Sequence, residues 1–228
     1  AAALVVNDAR RTAGLGVPVF EVPDTLVALG ALGRFRRLAW GRPVVAVGGS
    51  NGKTSTKELL RAALGSTFGV HATTGNLNNR IGVPMMLFSL DSGHRACVVE
   101  LGTSEPGEIA ELCRIAQPDV GILTLIAAAH LDGLGSIDGV EQEKAALFHA
   151  LRPEGVAVGN GDDTRIRRVL DGAPATRRIN YGRGSAADVR VVERTPLGVT
   201  RSNLVIGHAD GRTSAFETPL VGEAGAGK

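Results

Sequence analysis

Short apolar runs alternate with amphipathic segments from Pro43 onward. The apolar runs predict buried strands, and the segments between them have apolar residues every three or four positions, as helices do. The predicted strands are Val44–Val47, Val70–Thr73, Ala96–Leu101, Val120–Ile126 and Val156–Val158. The predicted helices are Thr54–Leu64, Val83–Leu90, Glu108–Ala116, Ser136–Leu151 and Asp163–Leu170. This alternation favours an α/β fold with a mostly parallel sheet and helices on both faces.

The two ends of the chain depart from this alternation. Before Pro43, the pattern predicts strands at Ala2–Val6 and Val17–Val22, and a helix that Asp24 caps and that runs to about Trp40. Its predicted apolar face is Leu26, Leu29, Leu32, Phe35 and Leu38, which leaves Arg34, Arg36 and Arg37 facing solvent. We expect this helix to connect two domains.

After about Arg177 the pattern becomes that of short β-strands. They are predicted at Val189–Glu193, Leu197–Val199, Leu204–Ile206 and Ser214–Thr218, with a hairpin turn at Asp210–Gly211. We expect a small antiparallel β appendage near the C-terminus.

A glycine-rich loop joins the first long strand to its helix. Gly48, Gly49 and Gly52 allow a tight turn and a close approach of the backbone to a ligand. In phosphate-binding loops, N–H groups face the anion, a lysine reaches the outer phosphates and a hydroxyl suits Mg²⁺. Lys53 and Thr54 stand in these positions. The match is to a short form of the motif, Gly49-x-x-Gly52-Lys53-Thr54, and the alternative is a chance glycine turn before a helix.

Two polar residues lie where predicted strands end, which is where open parallel sheets bind ligands. Glu100 closes an apolar strand, so its carboxylate needs a partner, and a metal ion would serve. A salt-bridged or capping glutamate is the alternative. His130 follows the strand Val120–Ile126, and a lone histidine at such a place is more often structural than a ligand.

Lys144 interrupts the apolar stripe of its predicted helix. Ile137, Val140, Leu147 and Phe148 lie on that stripe, and Lys144 fills a gap in it. Such a lysine either extends to water or lies in a lined site. Burial would lower its pKa and give the neutral amine that reacts with CO₂ to form a carbamate. Periodicity leaves both interpretations open.

A polar cluster, Thr73-Thr74-Gly75-Asn76-Leu77-Asn78-Asn79, follows the second strand of the alternation. Asn and Gly are common in turns, so an ordinary loop is one interpretation. Three amides and two hydroxyls beside a phosphate site are equally suited to holding a polar substrate.

Composition narrows the function classes. The net charge is +2 and aromatic residues make up 4%, so neither bulk charge nor base stacking favours a nucleic-acid partner. Cys97 and Cys113 lack metal-ligand spacing and are expected to be reduced. The sequence contains neither a run of membrane-spanning length nor a signal-peptide pattern, so we expect a cytoplasmic protein without membrane insertion. We also expect a monomer. Because the chain starts without Met, we expect it to be a piece of a longer protein.

Four segments, in this order and spacing, resemble the Mur ligases: GSNGKTSTKELL, TGNLNNRIGVP, VVELGTSEPGEI and AHLDGLGSIDGVEQEK. They are most similar to the type that joins D-Ala-D-Ala to UDP-N-acetylmuramoyl-tripeptide, and TGNLNN-x-IGVP separates that type from its relatives. The resemblance implies a three-domain ligase whose cofactors are ATP and Mg²⁺. Residues 1–23 would end the first domain, residues 24–42 would connect, and residues 43–228 would form most of the ATP-binding domain.

The resemblance also implies roles for individual residues. ATP contacts would come from Gly49, Ser50, Asn51, Gly52, Lys53, Thr54 and Ser55. The magnesium sites would be formed by Thr54, Glu100, His130 and Lys144, with Lys144 modified to a carbamate. Catalysis would depend on Lys53, His130 and Lys144. Thr74, Asn76, Asn78 and Asn79 would lie towards the substrates.

The implied reaction has two steps. The tripeptide carboxylate attacks the ATP γ-phosphate to give an acyl phosphate, and the amine of D-Ala-D-Ala then displaces phosphate. The alternatives are another Mur-type or folylpolyglutamate synthetase-like ligase, or a nucleotide-binding module without catalysis.

Two features depart from the family pattern. Leu125 stands where many relatives have Asn, and Gly222-Glu223-Ala224-Gly225 stands where the family often has His-Asn. Without the adenine-side contacts and the third domain, we expect these 228 residues to be inactive by themselves.

Overall fold

The computed structural model describes residues 3–12 and 14–219, which contain two sheets. The smaller sheet pairs β1 (Leu4–Val6) in parallel with β2 (Val19–Glu21), and a 3₁₀ turn at Ala9–Thr12 lies between them. Both predicted N-terminal strands are therefore present in shortened form. The predicted start at Ala2 lies outside the described residues.

The larger sheet has nine strands within the described part of the chain. They are β3 (Val44–Gly48), β4 (Val70–Ala72), β5 (Ala96–Glu100), β6 (Val120–Leu123), β7 (Val156–Asn160), β8 (Arg177–Gly182), β9 (Val189–Leu197), β10 (Arg201–His208) and β11 (Thr213–Thr218). Their order across the sheet is β4-β5-β3-β6-β7-β8-β9-β10-β11. Pairing is parallel from β4 to β9 and antiparallel from β9 to β11.

The helices of the described residues complete an α/β fold. They are α1 (Thr25–Trp40), α2 (Lys53–Gly65), α3 (Gly82–Phe88), α4 (Glu108–Ala116), α5 (Leu131–Leu134), α6 (Ile137–His149) and α7 (Thr164–Asp171). The predicted alternation of strands and helices is confirmed, and so is the hairpin turn at Asp210–Gly211 between β10 and β11. None of these helices is long and apolar enough to span a membrane.

The C-terminal strands are antiparallel as expected, and they continue the main sheet. The joining strand β8 was not predicted, because its sequence RRINYG has few apolar residues. The strand predicted at Val189–Glu193 is confirmed and is longer than expected, because β9 runs from Val189 to Leu197. The separate strand predicted at Leu197–Val199 is wrong, because β9 ends at Leu197.

Buried residues form a core on each face of the sheet. On one face, Val44 and Val99 lie in a cluster with Leu112 of α4 and Phe148 of α6. On the other face, strand residues Val47, Ala72 and Val98 pack against Leu60 and Leu64 of α2. The side chains of β3 and β5 alternate between the two clusters, as expected for central strands covered on both faces.

The predicted apolar face of α1 is wrong. Its buried positions are Gly30, Gly33 and Arg37, whereas Phe35 is 71% exposed. The two glycines permit close packing, because a Cβ at Gly30 would lie 2.9 Å from Ile115 Cδ1 and one at Gly33 would lie 2.9 Å from Pro84 Cα. Small residues rather than leucines therefore bring α1 against α3 and α4.

The solvent-facing position predicted for Arg37 is also wrong, because its side chain is buried. Its guanidinium donates to the carbonyls of Ala116 and Gln117, both at 2.9 Å, and to Asp119 Oδ2 at 2.8 Å. Arg37 thus fixes α1 to the end of α4 and to the start of β6.

Candidate nucleotide and metal site

The glycine loop lies between the end of β3 and the start of α2. β3 ends at Gly48 and α2 begins at Lys53, one residue before the predicted start. Gly49 has φ +136°, and a Cβ there would lie 2.1 Å from Thr124 Oγ1. Gly52 is the N-cap of α2 with φ +83° and provides no side-chain cap. The first N–H groups of this 13-residue helix are therefore left for an anion.

The segment after β6 holds the glycine loop in place. The Ser50 amide donates to the Leu125 carbonyl at 2.7 Å, and the Ser50 hydroxyl donates to the Ala127 carbonyl at 2.9 Å. Thr124 Oγ1 donates to the Asn51 carbonyl at 2.5 Å. Leu125 stands where many relatives have Asn, and its backbone carbonyl, rather than its side chain, contacts the glycine loop. The other departure from the family pattern, Gly222–Gly225, lies outside the described residues.

Two side chains at the start of α2 have contacts within the site. Lys53 Nζ donates to the Gly49 carbonyl at 3.0 Å, so its ammonium lies over the loop. Thr54 Oγ1 donates to Glu100 Oε2 at 2.9 Å. Ser55 follows in the same turn and is half-buried. The structure therefore brings together the predicted phosphate loop and the strand-end carboxylate.

Glu100 is 4% exposed and closes β5. Asn78 Nδ2 donates to its other carboxylate oxygen at 3.1 Å, and its backbone N–H donates to Thr73 Oγ1 at 2.9 Å. Its side chain forms no ion pair with any described residue. The alternative from the sequence was a salt-bridged or capping glutamate. Among the described residues, the partners of the Glu100 carboxylate are the side chains of Thr54 and Asn78, neither a cation nor a helix-start amide, so neither form of that alternative describes the structure.

The oxygen atoms around Glu100 suit a magnesium ion. Mg²⁺ prefers carboxylate and hydroxyl oxygens, and it is usually held by one or two carboxylates together with substrate phosphates. Glu100 and Thr54 provide such oxygens beside the glycine loop. The described residues contain no group of three or more His, Cys, Asp or Glu side chains placed to hold a metal, so phosphate oxygens would have to complete the site.

Lys144 lies on the inward stripe of α6, as its spacing predicted, and is 2% exposed. The side chain is therefore buried in a lined site, as one of the two interpretations of the sequence required. Its ammonium makes no hydrogen bond or ion pair with the described residues. Burial, followed by the positive charge of Lys53, lowers the pKa of Lys144 to about 8, against an opposing effect of Glu143 and Glu108. Lys53 therefore lies near enough for its positive charge to act on Lys144.

His130 has an unusual backbone at the edge of the site. It is the N-cap of α5 with φ +54°, a left-handed conformation that is uncommon for a residue other than glycine. Its side chain is exposed and makes no hydrogen bond with a described residue. The segment before it is attached to Ser50, but the structure brings the imidazole into contact with neither Glu100 nor Thr54.

The polar cluster after β4 divides into three kinds of residue. Thr74 and Asn76 are exposed. Asn78 is half-buried and bonds Glu100. Asn79 has the hydrogen bonds of a cap for α3, although Ile81 directly precedes the helix. Its Oδ1 accepts from the amides of Ile81 and Gly82 at 3.1 and 2.9 Å, and its carbonyl accepts from the Val83 amide at 2.9 Å.

Sequence reasoning missed three residues that shape the site. Thr124 contacts the loop, and Lys57 Nζ donates to the Thr73 carbonyl at 2.7 Å. Glu143 is buried beside Lys144 and bonds the segment that follows Glu100. The sequence signal for Glu143 was its position next to a lysine on an apolar stripe.

A family model for the Mur ligase middle domain matches residues 47–226. The chain therefore belongs to the Mur ligase family, which confirms the resemblance of its motifs. It is 36% identical over 173 residues to the UDP-N-acetylmuramoyl-tripeptide–D-alanyl-D-alanine ligase of Bacillus subtilis, covering 76% of this chain and 37% of that protein. It is 40% identical over 163 residues to the Escherichia coli ligase of the same name, covering 72% and 35%.

A solved structure of MurF from Acinetobacter baumannii has the same fold. It superposes with a TM-score of 0.88 at 32% identity, covering 98% of this chain and 48% of that chain. This chain thus spans well under half the length of the two curated relatives.

Proposed function

We propose that this chain is the ATPase domain of a ligase that joins D-Ala-D-Ala to UDP-N-acetylmuramoyl-tripeptide, with release of ADP and phosphate. The observation that carries the proposal is the hydrogen bond from Thr54 to Glu100. It joins a phosphate-binding loop to a buried carboxylate without a cationic partner among the described residues. The proposed substrates are those in the names of the two curated relatives. Each relative matches more than two thirds of the length of this chain.

The loop and the start of α2 would bind the phosphates of ATP. The proposed contacts are Gly49, Ser50, Asn51, Gly52, Lys53, Thr54 and Ser55. The Lys53 ammonium would neutralise charge on the outer phosphates, and the N–H groups of α2 would fix their orientation. Thr54, Glu100, His130 and the modified Lys144 would hold Mg²⁺, which supplies further charge neutralisation when bound.

Lys144 is proposed to carry a carbamate. Its buried amine, with a pKa of about 8, has a substantial neutral fraction at physiological pH. The nitrogen lone pair would attack the carbon of CO₂ to form an N–C bond, and the nitrogen would lose one proton to solvent. The product is an anion, which removes the electrostatic conflict between Lys144 and Lys53.

Phosphoryl transfer depends mainly on position and charge, so the residues of this chain would act by orienting the reactants. The tripeptide carboxylate would form a bond to the γ-phosphorus as the bond to ADP breaks. The D-Ala-D-Ala amine would then attack the carbonyl carbon of the acyl phosphate, form the amide and lose a proton. The bond from that carbon to the bridging oxygen breaks, so the released phosphate carries one oxygen from the tripeptide carboxylate. Thr74, Asn76, Asn78 and Asn79 lie on the loop proposed to face the substrates.

The domain boundaries are part of the proposal. The separate sheet of β1 and β2 supports an end of a preceding domain at residues 1–23, with residues 24–42 as the connecting helix. Residues 43–228 would belong to the central domain. Since ATP and UDP-linked precursors are cytoplasmic, we place the ligase in the cytoplasm.

The test is substrate-dependent phosphate release by the full-length protein. Release is expected with ATP, UDP-N-acetylmuramoyl-tripeptide and D-Ala-D-Ala together. No release is expected when the UDP-linked tripeptide or D-Ala-D-Ala is omitted. A Lys53→Ala variant controls for contaminating ATPases. Release with folate plus glutamate instead would favour a folylpolyglutamate synthetase-like ligase, and ATP binding without any turnover would favour a binding module.

A further inference from the structure

Glu143 is a buried carboxylate with no role in the proposed reaction. It lies on α6 immediately before Lys144 and is 5% exposed. Its Oε1 accepts from Thr103 Oγ1 at 3.1 Å and from the Ile109 amide at 2.7 Å, and its Oε2 accepts from the Gly107 amide at 2.6 Å. Both of its oxygens are therefore used.

The bonds of Glu143 replace a missing cap on a different helix. The N-cap of α4 is Gly107, which has no side chain to accept from the first amides of that helix. Glu143 accepts from the Ile109 amide in the first turn of α4 and from the amide of the N-cap residue Gly107, across 34 and 36 positions of sequence. A negative charge at a helix N-terminus is also favoured by the helix dipole. The result is a firm link from α6 to the start of α4.

The segment that Glu143 holds begins directly after Glu100. β5 ends at Glu100, and residues 101–107 lead from there to α4. The Gly102 amide within this segment donates to the Asn78 carbonyl at 2.8 Å, and the Asn78 side chain bonds Glu100. A single buried carboxylate thus connects the helix of Lys144 to the strand that carries Glu100.

Lys144 has no comparable anchor of its own. Its ammonium forms neither a hydrogen bond nor an ion pair with the part of the chain that the structure describes. Its position must therefore be set by the backbone of α6 and by packing. The nearest residue in sequence whose side chain is held by several hydrogen bonds is its neighbour Glu143.

We propose, on the basis of the proposed function, that Glu143 is a positioning residue for Lys144. It clamps α6 to residues 101–107, so that the modified amine of Lys144 and the carboxylate of Glu100 are held at one site. Glu143 itself contacts neither substrate nor metal. Loosening the clamp would misplace the carbamate while leaving the glycine loop, which α6 does not carry, in place.

The test compares two variants of α6 in the full-length protein. Glu143→Gln keeps the side-chain shape but places an NH₂ group against an N–H donor, so at least one of the three hydrogen bonds is lost. Glu141→Gln is the matched control, because Glu141 lies on the same helix with little exposure but pairs with Arg165 and Arg168 of α7. Both variants remove one acidic charge and one set of contacts from α6.

Three quantities separate positioning from simple capping: kcat, KM for ATP, and the ¹³C-carbamate NMR signal in ¹³C-bicarbonate. For Glu143→Gln we expect kcat to fall by about tenfold to a hundredfold, with KM for ATP within about twofold and a weakened carbamate signal. For Glu141→Gln we expect a lower melting temperature with an unchanged carbamate signal and kcat. Equal behaviour of the two variants, with full kcat and carbamate signal below their melting temperatures, would overturn the proposal.

A second variant covers the case in which Glu143→Gln does not fold. Thr103→Val removes a hydroxyl that serves both Glu143 and the Glu105 carbonyl, and it leaves both amides. A smaller loss of kcat and carbamate signal is therefore expected, and an unchanged value of both would overturn the positioning role. The wild-type protein separates this inference from the proposed function. If it shows neither ligase turnover nor a carbamate signal, the proposed function fails first, and the inference fails with it.

Discussion

The hydroxyl of Thr54 donates to Glu100 Oε2 at 2.9 Å, across 46 positions of sequence. The two residues meet because β3 and β5 are neighbouring parallel strands, with Val47 paired to Glu100. The glycine loop leaves β3 one residue later, so the helix that it starts begins beside the carboxylate. This arrangement places a hydroxyl and a buried carboxylate together at the carboxyl edge of the sheet, which is where such folds bind ligands.

A Glu100→Gln variant is expected to need more magnesium. The substitution removes the charge while the amide oxygen can still accept from Thr54, and the Asn78 amide can turn its oxygen towards the new NH₂ group, so folding should be little affected. We expect the Mg²⁺ concentration that gives half-maximal phosphate release to rise by about tenfold or more. Mutating residues that only hydrogen-bond a metal ligand already lowers metal affinity by at least that factor. The measurement is a Mg²⁺ titration of turnover, with Glu111→Gln, whose side chain pairs with Arg80, as the control. An unchanged Mg²⁺ requirement would remove Glu100 from the metal site.

Asn78 and Asn79 are expected to behave differently although they are adjacent. Asn78→Ala removes the amide that holds Glu100, so the Mg²⁺ requirement should rise and kcat should fall. Asn79→Ala removes the cap of α3 and should cost about 1 kcal/mol of stability. Steady-state kinetics and chemical denaturation of both variants provide the comparison. A higher KM for D-Ala-D-Ala in Asn79→Ala would instead assign this side chain to the substrate.

Carbamylation of Lys144 is expected to depend on pH with a midpoint of about 8. Only the neutral amine reacts with CO₂, and burial lowers the pKa, so the reactive fraction increases as pH rises through this value. At a fixed concentration of dissolved ¹³CO₂, the initial rate of ¹³C incorporation should rise between about pH 7 and 9. Lys144→Arg should lack the signal, which identifies the site. A midpoint above pH 10 would indicate an ordinary, hydrated lysine.

Arg37 is expected to contribute strongly to stability. Its substitution by Ala removes three hydrogen bonds from a packed helix interface and leaves the Ala116 and Gln117 carbonyls without this donor. Among the described residues, the Asp119 carboxylate then keeps only Arg152 and the Val44 amide as partners. We expect the free energy of unfolding to fall by about 2–4 kcal/mol, as when one partner of a buried ion pair is removed. The control is Arg61→Ala, an exposed pair with Glu58 that should change the value by less than about 1 kcal/mol. Similar losses in urea denaturation would contradict the structural role of Arg37.

Elements with a strong local pattern could be predicted from the sequence. The strand Val44–Gly48, the glycine loop and α2 follow from apolar runs, glycines and spacing within about 20 residues, and the inward position of Lys144 follows from the stripe of α6. Glu100 was placed correctly at a strand end, because parallel strands end at the same edge.

Features that depend on distant partners could not be predicted in this way. The face of α1 was mistaken because glycine, which is neutral in an apolar pattern, is the residue that permits its close contact with Ile115 and Pro84. Arg37 looked like a surface residue because its acceptors are some 80 positions away. Glu143 accepts mostly from backbone amides. Because almost every residue has a backbone amide, the sequence does not indicate which amides a side chain will bond.

The central claim is that a carboxylate receives the γ-phosphate at the site built by Lys53, Thr54 and Glu100. The most direct measurement follows oxygen from the tripeptide carboxylate, labelled with ¹⁸O, into the phosphate released by the full-length protein in the presence of D-Ala-D-Ala. Mass spectrometry should find one ¹⁸O in each released phosphate, because the amine displaces phosphate together with the oxygen that attacked. Phosphate without label, or with oxygen from water, would contradict the account.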